Sequence, residues 1–206
     1  MKYLITPAYL PNISYMSWLI KQNIVYFDSS EKYKKQTFRN RSEIYGANGK
    51  LILTIPVIHA KKKNYQLSKE IKIFLESKWQ LNHWKSIYSA YKSSPYFEFY
   101  EEELYKKFFN IKNDYLINFN VELMSIILKL LNRPFKYILM TFNANNHIKF
   151  DKLIEAKKNC FIVPEYTQVF SNKHGFLNNL SILDLLFNLG PNTLEYLNSI
   201  NLKLKT

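Results

Sequence analysis

Residues 3–28, YLITPAYLPNISYMSWLIKQNIVYFD, decide the fold. Residues 3–6 read as a short strand that stops at Pro7. The stretch Pro7-Ala8-Tyr9-Leu10-Pro11 is a rigid turn, because each proline fixes φ and disfavours helix at the residue before it. Asn12 can then cap a helix that runs through about Lys21. Ile13, Met16, Leu19 and Ile20 fall at helical spacing along it, and Asn23 ends it. Residues 24–27 form a second strand with Asp28 at its end. Strand, turn, helix, strand is the βαβ unit of a parallel sheet. Ligands of such sheets bind outside the carboxyl ends of the strands. Loop 7–11 and Asp28 both fall on that edge.

The next segments add an antiparallel pair. Residues 29–36 are polar and read as a loop. Residues 37–45 read as a strand, Gly46-Ala47-Asn48-Gly49 as a turn, and residues 51–57 as the returning strand. Residues 70–74 give a further short strand. From Ser77 the pattern turns helical. Ser77-Lys78-Trp79-Gln80 has the form of a capping box, opening a helix that reaches about Lys92. Ser94-Pro95 opens the next, with proline at its first position. A third helix covers about 116–131 and stops at Asn132-Arg133-Pro134. Residues 137–141 suit a strand, and 143–161 are too polar to assign. Two closing helices, 181–187 and 192–198, are split by Gly190-Pro191. The expected architecture is α/β: a βαβ unit and a β-hairpin forming a mixed sheet, with a C-terminal helical portion packed on it. All 206 residues read as one domain.

The net charge is +13, with 29 basic residues, of which only Arg39, Arg41 and Arg133 are arginine. The lysine excess, together with abundant Asn, Ile, Tyr and Phe and only four glycines, matches the usage of an A/T-rich genome. It is therefore read as codon drift on the surface, and nucleic acid is discounted as a partner. The densest basic run, 61–63, reads as a solvated loop. No apolar run approaches the roughly 20 residues of a membrane helix. The N-terminus does not read as a signal peptide. The single cysteine, Cys160, fits a reducing compartment, so a cytoplasmic location is expected.

Against that lysine background the arginine pair stands out. Arginine has a planar fork that grips carboxylate or phosphate through parallel hydrogen bonds. On a strand, Thr37, Arg39 and Arg41 share one face, with about 6.5 Å between successive positions. Phe38 and Asn40 point the other way. Two guanidinium groups so placed could clamp an anion. The plainer possibility is an exposed hairpin whose arginines pair with acids such as Glu31 or Glu43. His83 lies one turn after Trp79 and one before Ile87, where it could act as a general acid or base or simply pack at the core edge among aromatics. Trp84 and Tyr91 read as packing. Asp28 could orient a base or fix a hydroxyl, or cap the following turn. The other histidines and Cys160 have no metal-ligand spacing. There is no Gly-rich phosphate loop and no nucleophile elbow. No cofactor is specified.

Several of these segments together resemble a known family. Tyr9-Leu10-Pro11 with Tyr15, Phe27-Asp28, Phe38-Arg39-Asn40-Arg41 and Leu53-Thr54-Ile55-Pro56-Val57 look like the bacterial WbqC-like family. So do Trp79-Gln80-Leu81-Asn82-His83-Trp84, Ser94-Pro95-Tyr96-Phe97, Tyr166-Thr167-Gln168-Val169-Phe170 and residues 180–188. The family pattern often has Gln before the first proline, where this chain has Thr6. The resemblance implies an association with polysaccharide and O-antigen gene clusters. It also implies transfer of glycine or another small acyl or aminoacyl group. Combined with the residues above, it gives Tyr9, Arg39, Asn40 and Arg41 as ligand-binding candidates and Asp28 and His83 as catalytic ones. The expected partner is an anionic small molecule or an activated sugar or acyl donor. The alternative is a non-catalytic module that docks to envelope or polysaccharide machinery.

Overall fold

The structure, a computed structural model, describes residues 2–59, 65–142, 147–156 and 161–202. The opening βαβ unit forms as its sequence predicts. Strand β1 (Lys2–Ile5) leads through loop 7–11 into helix α1 (Ile13–Leu19), and β2 (Val25–Asp28) returns parallel to β1. Asn12 caps α1 by accepting the Tyr15 N–H at 2.8 Å.

The antiparallel pair is shorter than the sequence pattern suggests. β3 (Arg41–Gly46) and β4 (Gly49–Thr54) form a hairpin with Arg41 opposite Thr54. Residues 37–40 are not strand but a bend and turn. Gln36 sits at φ 59°, which reverses the chain just before them. Their backbone groups then bond in several directions. The Phe38 N–H donates to Ile154, its carbonyl accepts from Tyr9, and the Asn40 carbonyl accepts from Ile55. Thr37, Arg39 and Arg41 therefore do not share a strand face. The returning strand also breaks at Ile55-Pro56, where proline has no N–H to offer a ladder. β5 (Val57–Ile58) pairs separately with β6 (Lys72–Ile73), which follows a 3-10 turn at Ser68–Glu70.

Helix α2 (Trp79–Tyr91) starts later than predicted. The capping box does not form, because Ser77 donates its hydroxyl to the Phe74 carbonyl instead. α3 (Phe97–Phe109) begins beyond Ser94-Pro95, and α4 is Leu116–Leu130. β7 (Tyr137–Met140) and β8 (His147–Lys149) complete a four-stranded parallel sheet in the order β7-β2-β1-β8. β8 lies within the stretch that resisted assignment. The hairpin stands as its own sheet beside the parallel one. α5 (Ser171–His174), α6 (Ile182–Leu189) and α7 (Thr193–Ser199) close the chain. α2 packs on β3, α4 on α3, and α6 touches β3, α3 and α1. One contiguous buried cluster runs from Ile5 to Ile200, so sheet, hairpin and helices share a core. The α/β class expected from the sequence is what the chain forms. The run 61–63 and Cys160 lie outside the described residues.

Candidate anion-binding site

At the carboxyl edge of β1 and β2 three chain segments converge on Arg39. Thr6 follows β1, Glu31 lies three residues beyond β2, and Arg39 sits in the turn before β3. Arg39 is 2% exposed and Glu31 4%. Arg39 Nη2 donates to Glu31 Oε2, and the Thr6 hydroxyl donates to the same oxygen at 2.5 Å. Glu31 is thus one of the acids named as a plain pairing partner. Thr6 helps hold that acid. Lys34 lies 3.4 Å from Glu31 Oε1 and 3.0 Å from Asp151, tying the loop after β2 to the loop after β8.

Taking a carboxylate out of water disfavours its charge, so burial alone would raise the pKa of Glu31. The Arg39 charge and the hydrogen bonds from Thr6 and Arg39 outweigh that, and the carboxyl lies below its ordinary range. The pair is ionised, and Glu31 neutralises one edge of the guanidinium. Among the described residues, Arg39 Nε and Nη1 have no hydrogen-bond partner. Arg39 lines a small cavity of about 10 Å³ with Thr6, Tyr33, Ser68 and Asn120. That is about the space of one water. Among the described residues, Ser68 Oγ and Asn120 Oδ1 have no hydrogen-bond partner either. The Asn120 amide holds the wall in place. It donates to the Arg39 carbonyl at 2.7 Å and to the Pro7 carbonyl at 3.1 Å.

Tyr33 lines the cavity beside Arg39. Burial pushes its phenol up to about 12, and both Arg39 and Arg41 act against that rise. Both cations favour the ionised phenol, although they do not share a strand face. Arg41 is half-buried. Its Nε is buried without a hydrogen bond, and among the described residues it has no ion pair. The other side of Tyr33 meets the His59 ring at 6.1 Å.

The remaining predicted residues lie elsewhere. Asn40 turns its amide onto the Ile55 carbonyl at 2.9 Å, bracing the hairpin. Asp28 is 2% exposed. Its Oδ1 accepts from the Ser30 N–H and hydroxyl, at 2.9 and 2.8 Å, and its Oδ2 is 3.2 Å from Lys149. Tyr9 is fully buried, and its hydroxyl lies 2.8 Å from His83 Nδ1. Both rings pack against Trp79, and Tyr9 also packs against Phe108 and Phe119. Burial pushes His83 down to about 4, against a hydrogen bond to the Thr54 backbone. The cavity at Arg39 includes none of Asp28, Tyr9, Arg41 or His83. Reasoning from sequence missed Tyr33, Ser68 and Asn120. They come from three distant segments, and no local motif joins them.

A family model matches residues 6–160. The chain belongs to the WbqC-like protein family. No curated protein and no solved structure matches it. The WbqC-like region holds every residue of the Arg39 site and the Tyr9–His83 pair. Residues 161–202 lie outside that match, including Tyr166, Gln168 and Asp184. Among the described residues no group of His, Cys, Asp and Glu could hold a metal ion, and no helix is long and apolar enough to cross a membrane.

Proposed function

We propose that this WbqC-like protein is a transferase of bacterial cell-surface polysaccharide synthesis that receives the anionic group of its donor between Arg41 and Arg39, at Tyr33. The observation that carries this reading is the buried Arg39 guanidinium, whose Nε and Nη1 have no acceptor among the described residues, at a cavity that Tyr33 and Ser68 also line. A buried guanidinium with spare N–H groups is costly unless those groups find an acceptor. A phosphate or carboxylate supplies one, and Ser68 adds a hydroxyl. The cavity is far smaller than such a group, so the donor's anion enters by displacing the Tyr33 ring. Asp28, on the same sheet edge, is the proton acceptor for the attacking hydroxyl or amine. His83 acts through Tyr9 to hold loop 7–11 against α2. The polysaccharide setting is the one the family resemblance implies.

The test uses the whole chain with inorganic pyrophosphate, a nucleoside-diphosphate sugar and an acyl phosphate as probes. The expected result is a rise in melting temperature with at least one of them, and binding at least tenfold weaker in Arg41→Ala. Arg41 is half-buried, so this variant keeps the fold. Silence with every probe, or equal binding by Arg41→Ala, rejects the site.

A second reading is favoured by one observation: Asp28 is already engaged by Ser30 and Lys149 and does not line the Arg39 cavity. A binding module needs no free base. Tight binding with no donor turnover in the presence of glycan acceptors, and no effect of Asp28→Asn, supports that reading over transfer.

A further inference from the structure

The polar groups around the Arg39 cavity are not all of one kind. Arg39 Nε and Nη1 can only donate, and the Ser68 hydroxyl donates or accepts. Asn120 Oδ1 can only accept. Its amide is not free to turn over. Nδ2 already donates to the Pro7 and Arg39 carbonyls, and a flip would set oxygen against both. Oδ1 is thus the end left free for a guest. Ser68 and Asn120 are 5% and 1% exposed, and among the described residues neither Ser68 Oγ nor Asn120 Oδ1 has a partner. A buried acceptor without a donor is costly. A guest that satisfies the whole set therefore accepts from Arg39 and also donates to Asn120.

The nearest side-chain donors are already committed. The Thr6 hydroxyl is given to Glu31, and Lys34 lies between Glu31 and Asp151. Pro7, Leu116 and Ile117 make the rest of the wall apolar. Charge narrows the guest further. Arg39 and Glu31 cancel, and Lys34 faces Glu31, Asp151 and Glu155. Among the described residues Arg41 is the cation left over here, so one negative charge on the guest is better balanced than two.

Resting on the reading that the donor's anion enters this cavity, we infer that the anion is a terminal phosphoryl group carrying one proton, as in a phosphate monoester or an acyl phosphate, and that Asn120 selects it. The unprotonated oxygens accept from Arg39 and Ser68, and the P–OH donates to Asn120 Oδ1. A phosphate monoester loses its second proton near about pH 6, so the protonated form is accessible close to neutrality. A carboxylate or sulfate is fully ionised there and has no O–H to give. The interior phosphates of a nucleoside-diphosphate sugar have none either. Each of these sets an oxygen lone pair against Asn120. Of the donors that the reading admits, an acyl phosphate matches the cavity and a nucleoside-diphosphate sugar does not.

Titration calorimetry on the full chain at pH 8 and fixed ionic strength tests this, with inorganic phosphate, sulfate and a nucleoside-diphosphate sugar as probes. Phosphate and sulfate are both tetrahedral, and at this pH each carries close to two negative charges. Phosphate keeps one O–H, and sulfate has none. Phosphate is expected to bind at least about tenfold more tightly than either other probe. Asn120→Ala removes the acceptor and is expected to bring the phosphate-to-sulfate ratio to within about twofold, with far-UV circular dichroism unchanged. If that variant does not fold, the ratio in the wild type decides. Sulfate or the nucleotide sugar binding as tightly as phosphate overturns the inference and leaves an anion site at Arg39 standing. A preference for phosphate that survives in folded Asn120→Ala overturns the role of Asn120. Binding of none of the three rejects the anion site itself, and this inference with it.

Discussion

His83 is read most directly from its surroundings. It accepts or donates at Tyr9, bonds the Thr54 backbone and lies against Trp79. Burial pushes it from its ordinary 6.5 to about 4. The unfolded chain therefore takes up a proton at this residue before the folded chain does. Its share of stability is fully present above pH 6.5 and is lost as the pH falls through about 4. The window corresponds to about 3 kcal/mol. Urea denaturation between those pH values is expected to show that loss in the wild type, and His83→Gln is expected to flatten it. An unchanged acid limb in the variant would mean the ring is not buried neutral. The candidate site was partly legible at this scale. The scarcity of arginine pointed to Arg39 and Arg41, and Glu31 was visible as a possible partner. The shared strand face was wrong because spacing in sequence cannot see the reversal at Gln36. Ser68 and Asn120 could not be read at all, because only the tertiary fold sets them beside Arg39.

At the level of elements, the start of a helix shows what a pattern can promise and what it cannot. Asn12 and Ser77 are both capping residues by sequence. Asn12 carries out that role. Its side chain accepts from the Tyr15 N–H and from the Ser14 hydroxyl. Ser77 instead bonds the Phe74 carbonyl, and α2 begins two residues after it. Asn12→Ala is therefore expected to cost about 1–2 kcal/mol, while Ser77→Ala stays within about 0.5 kcal/mol. Chemical denaturation of the two variants compares them directly, and similar losses would show that Ser77 caps after all. The βαβ unit was legible for a related reason. Its two prolines, its cap and its apolar spacing are all local signals that agree. β8 was not, because three residues in a polar stretch become a strand only when Lys2, Tyr3 and Leu4 are there to pair with.

For the molecule as a whole, the question is what holds together residues 161–202, which lie outside the family match. Asp184 is fully buried in the first turn of α6. Its Oδ2 accepts from the Tyr166 hydroxyl and, at 2.9 Å, from the Gln168 amide. The Tyr91 hydroxyl of α2, on which the charge of this carboxyl acts, accepts the Tyr45 N–H of β3 at 3.1 Å. Gln168 in turn clasps the Leu177 backbone in both directions. This carboxyl thus ties Tyr166 and Gln168 to the first turn of α6. Asp184→Ala takes a buried acceptor from the Tyr166 hydroxyl and the Gln168 amide and is expected to cost about 3 kcal/mol, with Tyr166→Phe costing about 2. The two changes remove the same bond, so the double variant should lose less than their sum by about 1–2 kcal/mol. Burial holds the Asp184 carboxyl above its ordinary range despite the hydrogen bonds that oppose it. The folded state then binds the proton more tightly than the unfolded chain, so this group favours folding in acid and loses that share as the pH rises through its folded value. The Asp184→Ala penalty should therefore grow as the pH falls, opposite in direction to His83. Denaturation of the two single variants and the double variant at two pH values measures both effects. Strict additivity would mean that Asp184 and Tyr166 do not act as one bonded pair.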